Sequence, residues 1–126
     1  MKIEHDIKLD FGDVLIRPKR TTISSRSEVD LEREFKFPHS TFKWTGIPII
    51  AANMDTTGTV EVMKKMSEHK LLTCLNKFYT LNDYISLSES DQHWGIISTG
   101  IGKSDFKKVT DILNMRKKRN PDLINI

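Results

Sequence analysis

Lys77 stands where a side chain can do chemistry. It lies just past an apolar run, Leu71–Leu75, and is followed by Phe78 and Tyr79. A lysine at the carboxyl end of a strand can donate a charge-assisted hydrogen bond or supply a proton; an ordinary surface lysine would sit there equally well. Ser25-Arg26 lies in the hydroxyl-rich stretch Thr21–Ser27. A guanidinium in that setting suits a phosphate or stacks on a flat ring, and is otherwise solvated. Met54 follows another apolar run, where its ordinary reading is a methionine capping a core. Cys74, the single cysteine, lies inside the predicted strand between Thr73 and Leu75. A small, buried, inert residue is expected there, and no internal disulfide is possible.

Two further patterns imitate sites. Ser98-Thr-Gly-Ile-Gly-Lys-Ser104 falls between a predicted strand and a helix, as a phosphate-binding P-loop does. That motif needs a glycine where Ile97 stands, and no acidic strand end follows to hold magnesium. His5, His39, His69 and His93 are scattered without the spacing of metal ligands, so no metal is expected. The net charge is +3, with the excess concentrated in Arg116–Arg119. The duller reading of that run is a solvated last helical turn favoured by the helix dipole, not a nucleic-acid patch.

The elements that must position these residues are α/β in pattern. Gly46–Gly58 contains the uncharged run Ile47–Ala52, headed by Pro48 and ending in small polar residues. It predicts a short strand of a parallel sheet buried on both faces. A helix over about Val60–His69 follows, with Val62, Met63 and Met66 on one face. Leu71–Leu75 is a second strand, and Thr80-Leu-Asn-Asp83 opens a helix with a capping box. Trp94–Ser98 is a third strand. Ser104 is expected to cap a third helix that turns Phe106, Val109, Ile112 and Leu113 inward, and Leu123–Ile126 begins a fourth strand. Upstream, Leu9–Pro18 reads as extended. Val29, Leu31, Phe35 and Phe37 alternate with charged residues as a strand with one buried face, broken only by Arg33.

Alternation of strand and helix implies a parallel sheet, with polar strand ends gathered at its carboxyl edge. The reading is an N-terminal arm and strand over residues 1–45, then three β/α units and the start of a fourth strand over 46–126. Closing such a barrel takes about 250 residues, so 126 residues read as the front of something longer. The composition is polar but globular, without an apolar run of membrane length or a signal-peptide core, which points to the cytoplasm and to no membrane partner.

Three stretches carry a resemblance. Asp13-Val-Leu-Ile-Arg-Pro18, Ser24-Ser-Arg-Ser-Glu-Val-Asp-Leu-Glu-Arg33 and Ile47-Pro-Ile-Ile-Ala-Ala-Asn-Met-Asp-Thr56 resemble GMP reductase, of the IMP dehydrogenase/GMP reductase superfamily. Asn76-Lys77-Phe78-Tyr79 resembles the reductases' His-Lys-His-Tyr, where the dehydrogenases have no lysine. The short helix between Tyr79 and Trp94 leaves no room for the regulatory module that many dehydrogenases insert. The resemblance covers the first third of the family's length.

It implies a (β/α)8 TIM-type barrel, incomplete here and preceded by an extended β arm. It implies reduction of GMP to IMP with release of ammonia and oxidation of NADPH, in a homo-oligomer that is tetrameric in the family. Ser25 and Arg26 would reach NADPH on a neighbouring subunit, Lys77 would face the cofactor and leaving group, and Met54 would lie near the nucleotide. The nucleophilic cysteine is expected beyond Ile126, so the chain alone should not reduce GMP. Asn76, Phe78 and Ile101 depart from the family pattern on the ammonia side. The competing readings are a truncated remnant that only associates with barrel subunits, and an IMP dehydrogenase-like fragment.

Overall fold

The computed structural model describes residues 5–38 and 43–119. The predicted fourth strand, Leu123–Ile126, and His39 lie outside them. The chain divides into two compact units, 1–30 and 31–126. Trp44 packs the intervening hairpin against Leu72 of the parallel sheet, within the second unit.

In the first unit the described residues form no strand, so the expected β arm is extended chain broken by two 3-10 turns. Asp10 opens the turn Phe11–Asp13 with a capping box: Asp10 Oδ1 accepts from Phe11 N at 2.7 Å and Asp13 Oδ2 accepts from Asp10 N at 2.9 Å. Ser25 caps the turn Arg26–Glu28. Local side-chain oxygens thus take N–H groups that a strand would need for its ladder.

The second unit begins with an antiparallel hairpin, β1 (Arg33–Lys36) and β2 (Lys43–Gly46), in which Phe35 faces Trp44. The alternating pattern around β1 predicts a buried face that is found only at Phe37, which is half-buried: all four β1 residues are exposed, as are Val29 and Leu31. The buried side chain is Trp44 on β2, whose ring lies 5.9 Å from Phe35 and 6.3 Å edge-on from Trp94. Phe35 shields one side of that indole and leaves its own outer side wet.

Three short parallel strands follow in the order β3 (Ile50–Ala51), β4 (Leu72–Cys74) and β5 (Gly95–Ile96). β3 starts three residues later than the apolar run suggests. Pro48 has no N–H to give a ladder, and Ile49 N donates back to Ile47 O at 2.7 Å, so the chain turns before it extends. The crossover helices are α1 (Val60–Ser67), then α2 (Leu81–Ser86) with α3 (Glu89–Gln92). α4 (Lys103–Arg119) follows β5. Met63, Leu75, Tyr84, Leu87 and Ile112 form the core between sheet and helices. Gly95 is small because α1 presses there: an added Cβ would meet Met63 Sδ at 2.8 Å.

Strand alternation puts Ile50, Leu72, Cys74 and Ile96 on the opposite face. Among the described residues no helix covers that face. Trp44 and Phe37 pack over Leu72 and Ile96, but Ile50 stays 56% exposed, so the sheet is not buried on both sides as its sequence predicts.

α4 departs from expectation at both ends. It starts at Lys103, with Asp105 Oδ2 accepting from Gly102 N at 3.1 Å, and Ser104 does not cap it. Ile112 is buried while Phe106 points to solvent. Arg116, expected in a solvated basic turn, is 1% exposed. Its Nη2 donates to Gly95 O at 2.9 Å and its guanidinium lies 5.6 Å from the Tyr84 ring centre. Burial pushes the Tyr84 phenol up to about 12 against the opposing pull of Arg116. The same burial lowers the Arg116 value.

Candidate functional site

The carboxyl ends of β3, β4 and β5 turn into three loops, spanning residues 52–59, 75–80 and 97–102. The first is a compact turn: Thr57 N and Gly58 N both donate to Met54 O, at 3.1 and 2.6 Å. Asn53, Met54 and Asp55 face solvent at its crest, with Met54 63% exposed, so it does not cap the described core. Thr59 Oγ1 accepts from Val62 N at 3.2 Å, and Tyr79 Oη accepts from Val60 N at 3.0 Å. Two oxygens therefore satisfy N–H groups in the first turn of α1 that helix geometry leaves open.

Gly58 is the tight point of this edge. It is buried, and a Cβ there would meet Cys74 O at 2.5 Å and Asn53 Cα at 2.9 Å, both backbone. Backbone on two sides cannot swing aside as a side chain can. Gly58→Ala is therefore expected to destabilise the second unit by about 1–3 kcal/mol, read as a lower urea midpoint with an unchanged slope. An unaltered midpoint would show that the loops separate freely.

The second loop carries Lys77. Its side chain is exposed, Nζ stands 5.4 Å from the Phe78 ring centre, and its carbonyl accepts from Lys108 Nζ at 2.6 Å. Lys77 makes no ion pair among the described residues. Asn76 is buried, its Nδ2 donating to Gly58 O at 3.1 Å and its Oδ1 accepting from Phe78 N at 3.1 Å. Thr80 then opens α2 with the predicted capping box, which holds the Asp83 carboxyl below its ordinary value through hydrogen bonds from Thr80.

The third loop supplies little side-chain chemistry. Ile101 is 95% exposed, and Gly100 and Gly102 lie against the Asp105 carboxylate. That carboxylate sits where a P-loop would receive a phosphate, which removes the triphosphatase reading. Below this loop, Cys74 Sγ is 3.2 Å from Ser98 Oγ on the face without helices. Cys74 is half-buried there, more open than its place inside a strand predicts.

Met54 and Lys77 thus share one sheet edge. Ser25 and Arg26 belong to the other unit. Ser25 Oγ accepts from Ser27 N at 3.3 Å, and Arg26 begins the turn it caps, exposed beside a hollow lined by Thr21, Ile23, Ser24 and Val29. Sequence reasoning missed Asn76 and Tyr79 as the groups that hold the edge together. Both act across long separations, eighteen residues for Asn76 and nineteen for Tyr79, which leave no signal in a single sequence.

No protein-family model matches the chain. Curated proteins do, over most of its length. It is 46% identical over 127 residues to a GMP reductase of Klebsiella pneumoniae, covering 98% of this chain and 35% of that protein. It is 44% identical over 117 residues to a GMP reductase of Photobacterium profundum, covering 90% and 34%. A GMP reductase of Citrobacter koseri is 48% identical over 117 residues, with the same coverage. The chain spans about a third of the length of the curated relatives it matches. Its sequence is therefore related, across nearly all of its own length, to the N-terminal third of the GMP reductases.

Proposed function

We propose that this chain forms the first β/α units of a (β/α)8 barrel that reduces GMP to IMP and ammonia with NADPH. The observation that carries the reading is the placement of Lys77: an exposed cation without an acidic partner among the described residues, at the carboxyl edge of a parallel sheet. Ligands bind at that edge in α/β folds. Residues 1–45 act as N-terminal arm and strand, and residues 46–126 as the start of the barrel, working in an oligomer.

The groups present fit a phosphorylated dinucleotide. Arg26 is an exposed guanidinium beside the Ser24 and Ser25 hydroxyls and makes no ion pair among the described residues. It would hold a phosphate or the adenine, with Ser25 fixing the turn that presents it. NADPH supplies a hydride to the purine when bound. Lys77 would steady the cofactor side of the pocket and give a proton to the departing amine. Met54 would form an apolar wall beside the purine. The attacking thiolate would come from outside these residues, since Cys74 lies below the edge against Ser98.

The test is a hybrid in which this chain replaces its matching segment in the Klebsiella pneumoniae GMP reductase, assayed for GMP-dependent NADPH oxidation and ammonia. Turnover supports the reading; a folded hybrid that binds both ligands without turnover overturns it. In that hybrid Arg26→Ala is expected to weaken NADPH binding by about 1–3 kcal/mol and GMP binding much less. Equal losses for both ligands would make residues 1–30 a structural arm.

A further inference from the structure

We propose that Asn76 is a positioning residue, whose buried amide clasps the loop after β4 to the loop after β3 and thereby fixes where Lys77 stands relative to Met54. The inference rests on the proposed role of Lys77, but its test does not depend on turnover.

The clasp has three bonds. Asn76 N donates to Gly58 O at 2.8 Å, Nδ2 donates to the same carbonyl at 3.1 Å, and Oδ1 accepts from Phe78 N at 3.1 Å. Gly58 O thus uses both lone pairs on one residue. The bonds also fix the amide's orientation: turned over, its NH2 would face an N–H and its oxygen a carbonyl. At 9% exposure little water competes for these groups. Gly58 permits the approach, because a Cβ there would stand 3.0 Å from Asn76 N.

The consequence passes to Lys77 through its neighbours. Holding Phe78 N–H sets the direction of the chain immediately after Lys77 and places the Phe78 ring beneath Nζ. Lys108 holds the Lys77 carbonyl from α4. Met54 is tied to the same point, since Gly58 N donates to Met54 O. Asn76 therefore connects the segments that carry Met54 and Lys77 through short hydrogen-bonded links.

The experiment is NMR on the chain itself. Asn76→Ala removes both side-chain bonds; Asn76→Asp at neutral pH keeps an oxygen for Phe78 N–H but loses the donor to Gly58 O. In Asn76→Ala, exchange of the Phe78 amide should rise about tenfold or more. The Lys77 ε-methylene protons should also lose the shift imposed by the Phe78 ring, while exchange at Ile112 stays unchanged. In Asn76→Asp, the Phe78 and Lys77 signals should persist while those of residues 53–58 move. Identical behaviour of the two variants, or unmoved Phe78 and Lys77 signals in Asn76→Ala, overturns the proposal. Should Asn76→Ala not fold, Asn76→Asp decides: retained Lys77 signals with displaced 53–58 signals support the clasp, and loss of both overturns it. Turnover of the hybrid judges the role of Lys77 separately.

Discussion

Lys77→Ala is expected to cut GMP-dependent turnover of the hybrid enzyme by about a hundredfold, near the lower end of what a positioned proton donor contributes. The fold should not notice. The Lys77 side chain is exposed and fills no core, and surface changes of that kind stay within about 0.5 kcal/mol. Its backbone carbonyl, which Lys108 uses, survives the substitution. Lys77→Arg makes the informative companion. It restores the positive charge but spreads it over a planar fork with no proton to release at neutral pH. If Lys77 only attracts an anionic cofactor, arginine should recover most of the loss and the effect should lie in the apparent affinity for NADPH. If it gives a proton, arginine should remain as slow as alanine, with the deficit in kcat. Full turnover with unchanged NADPH affinity in Lys77→Ala would remove this residue from the mechanism.

What could be read from the sequence was mostly what is local. The Thr80–Asp83 capping box needs only four neighbouring residues, and it forms as predicted. The alternation of three apolar runs with amphipathic segments likewise predicts β3, β4 and β5 with α1, α2 and α4, although each strand is shorter than its apolar run. Pairing ends where Pro48 or the approach to a loop removes a ladder partner. The spacing of Val29, Leu31, Phe35 and Phe37 misled because a period of two shows that a strand can have an apolar face, not that something covers it. In the described residues Trp44 takes the buried place and Phe35 is left at 39% exposure. The site shows the same division. The position of Lys77 at the sheet's carboxyl edge could be read from its place after an apolar run, whereas the bonds around it depend on Asn76 reaching Gly58, eighteen residues away. Nothing in a single sequence marks that pair.

Arg116→Ala is expected to destabilise the second unit by about 3–4 kcal/mol, combining the cavity left by a large side chain with an orphaned carbonyl. A run of four basic residues at a helix end hides one whose stem and head are both packed inside. The carbonyls of Trp94 and Ile96 accept from Thr73 N and Leu75 N, so Gly95 O, between them, points away from β4. Arg116 Nη2 occupies that outward carbonyl, and the guanidinium then lies against the Tyr84 ring. The arrangement is costly: Arg116 Nε and the Tyr84 hydroxyl are buried without a protein partner among the described residues. A cation so placed gains a hydrogen bond and a ring contact against a desolvation penalty of several kcal/mol. Arg116→Met separates these contributions. It keeps the apolar stem and removes the buried charge, forfeiting the bond to Gly95 O and the guanidinium's contact with the Tyr84 ring, so its loss should be about 1–2 kcal/mol. Urea unfolding of the parent and both variants measures the series. An Arg116→Ala midpoint equal to the parent's would return this residue to the solvated basic turn that its sequence suggests, and would detach α4 from the sheet edge.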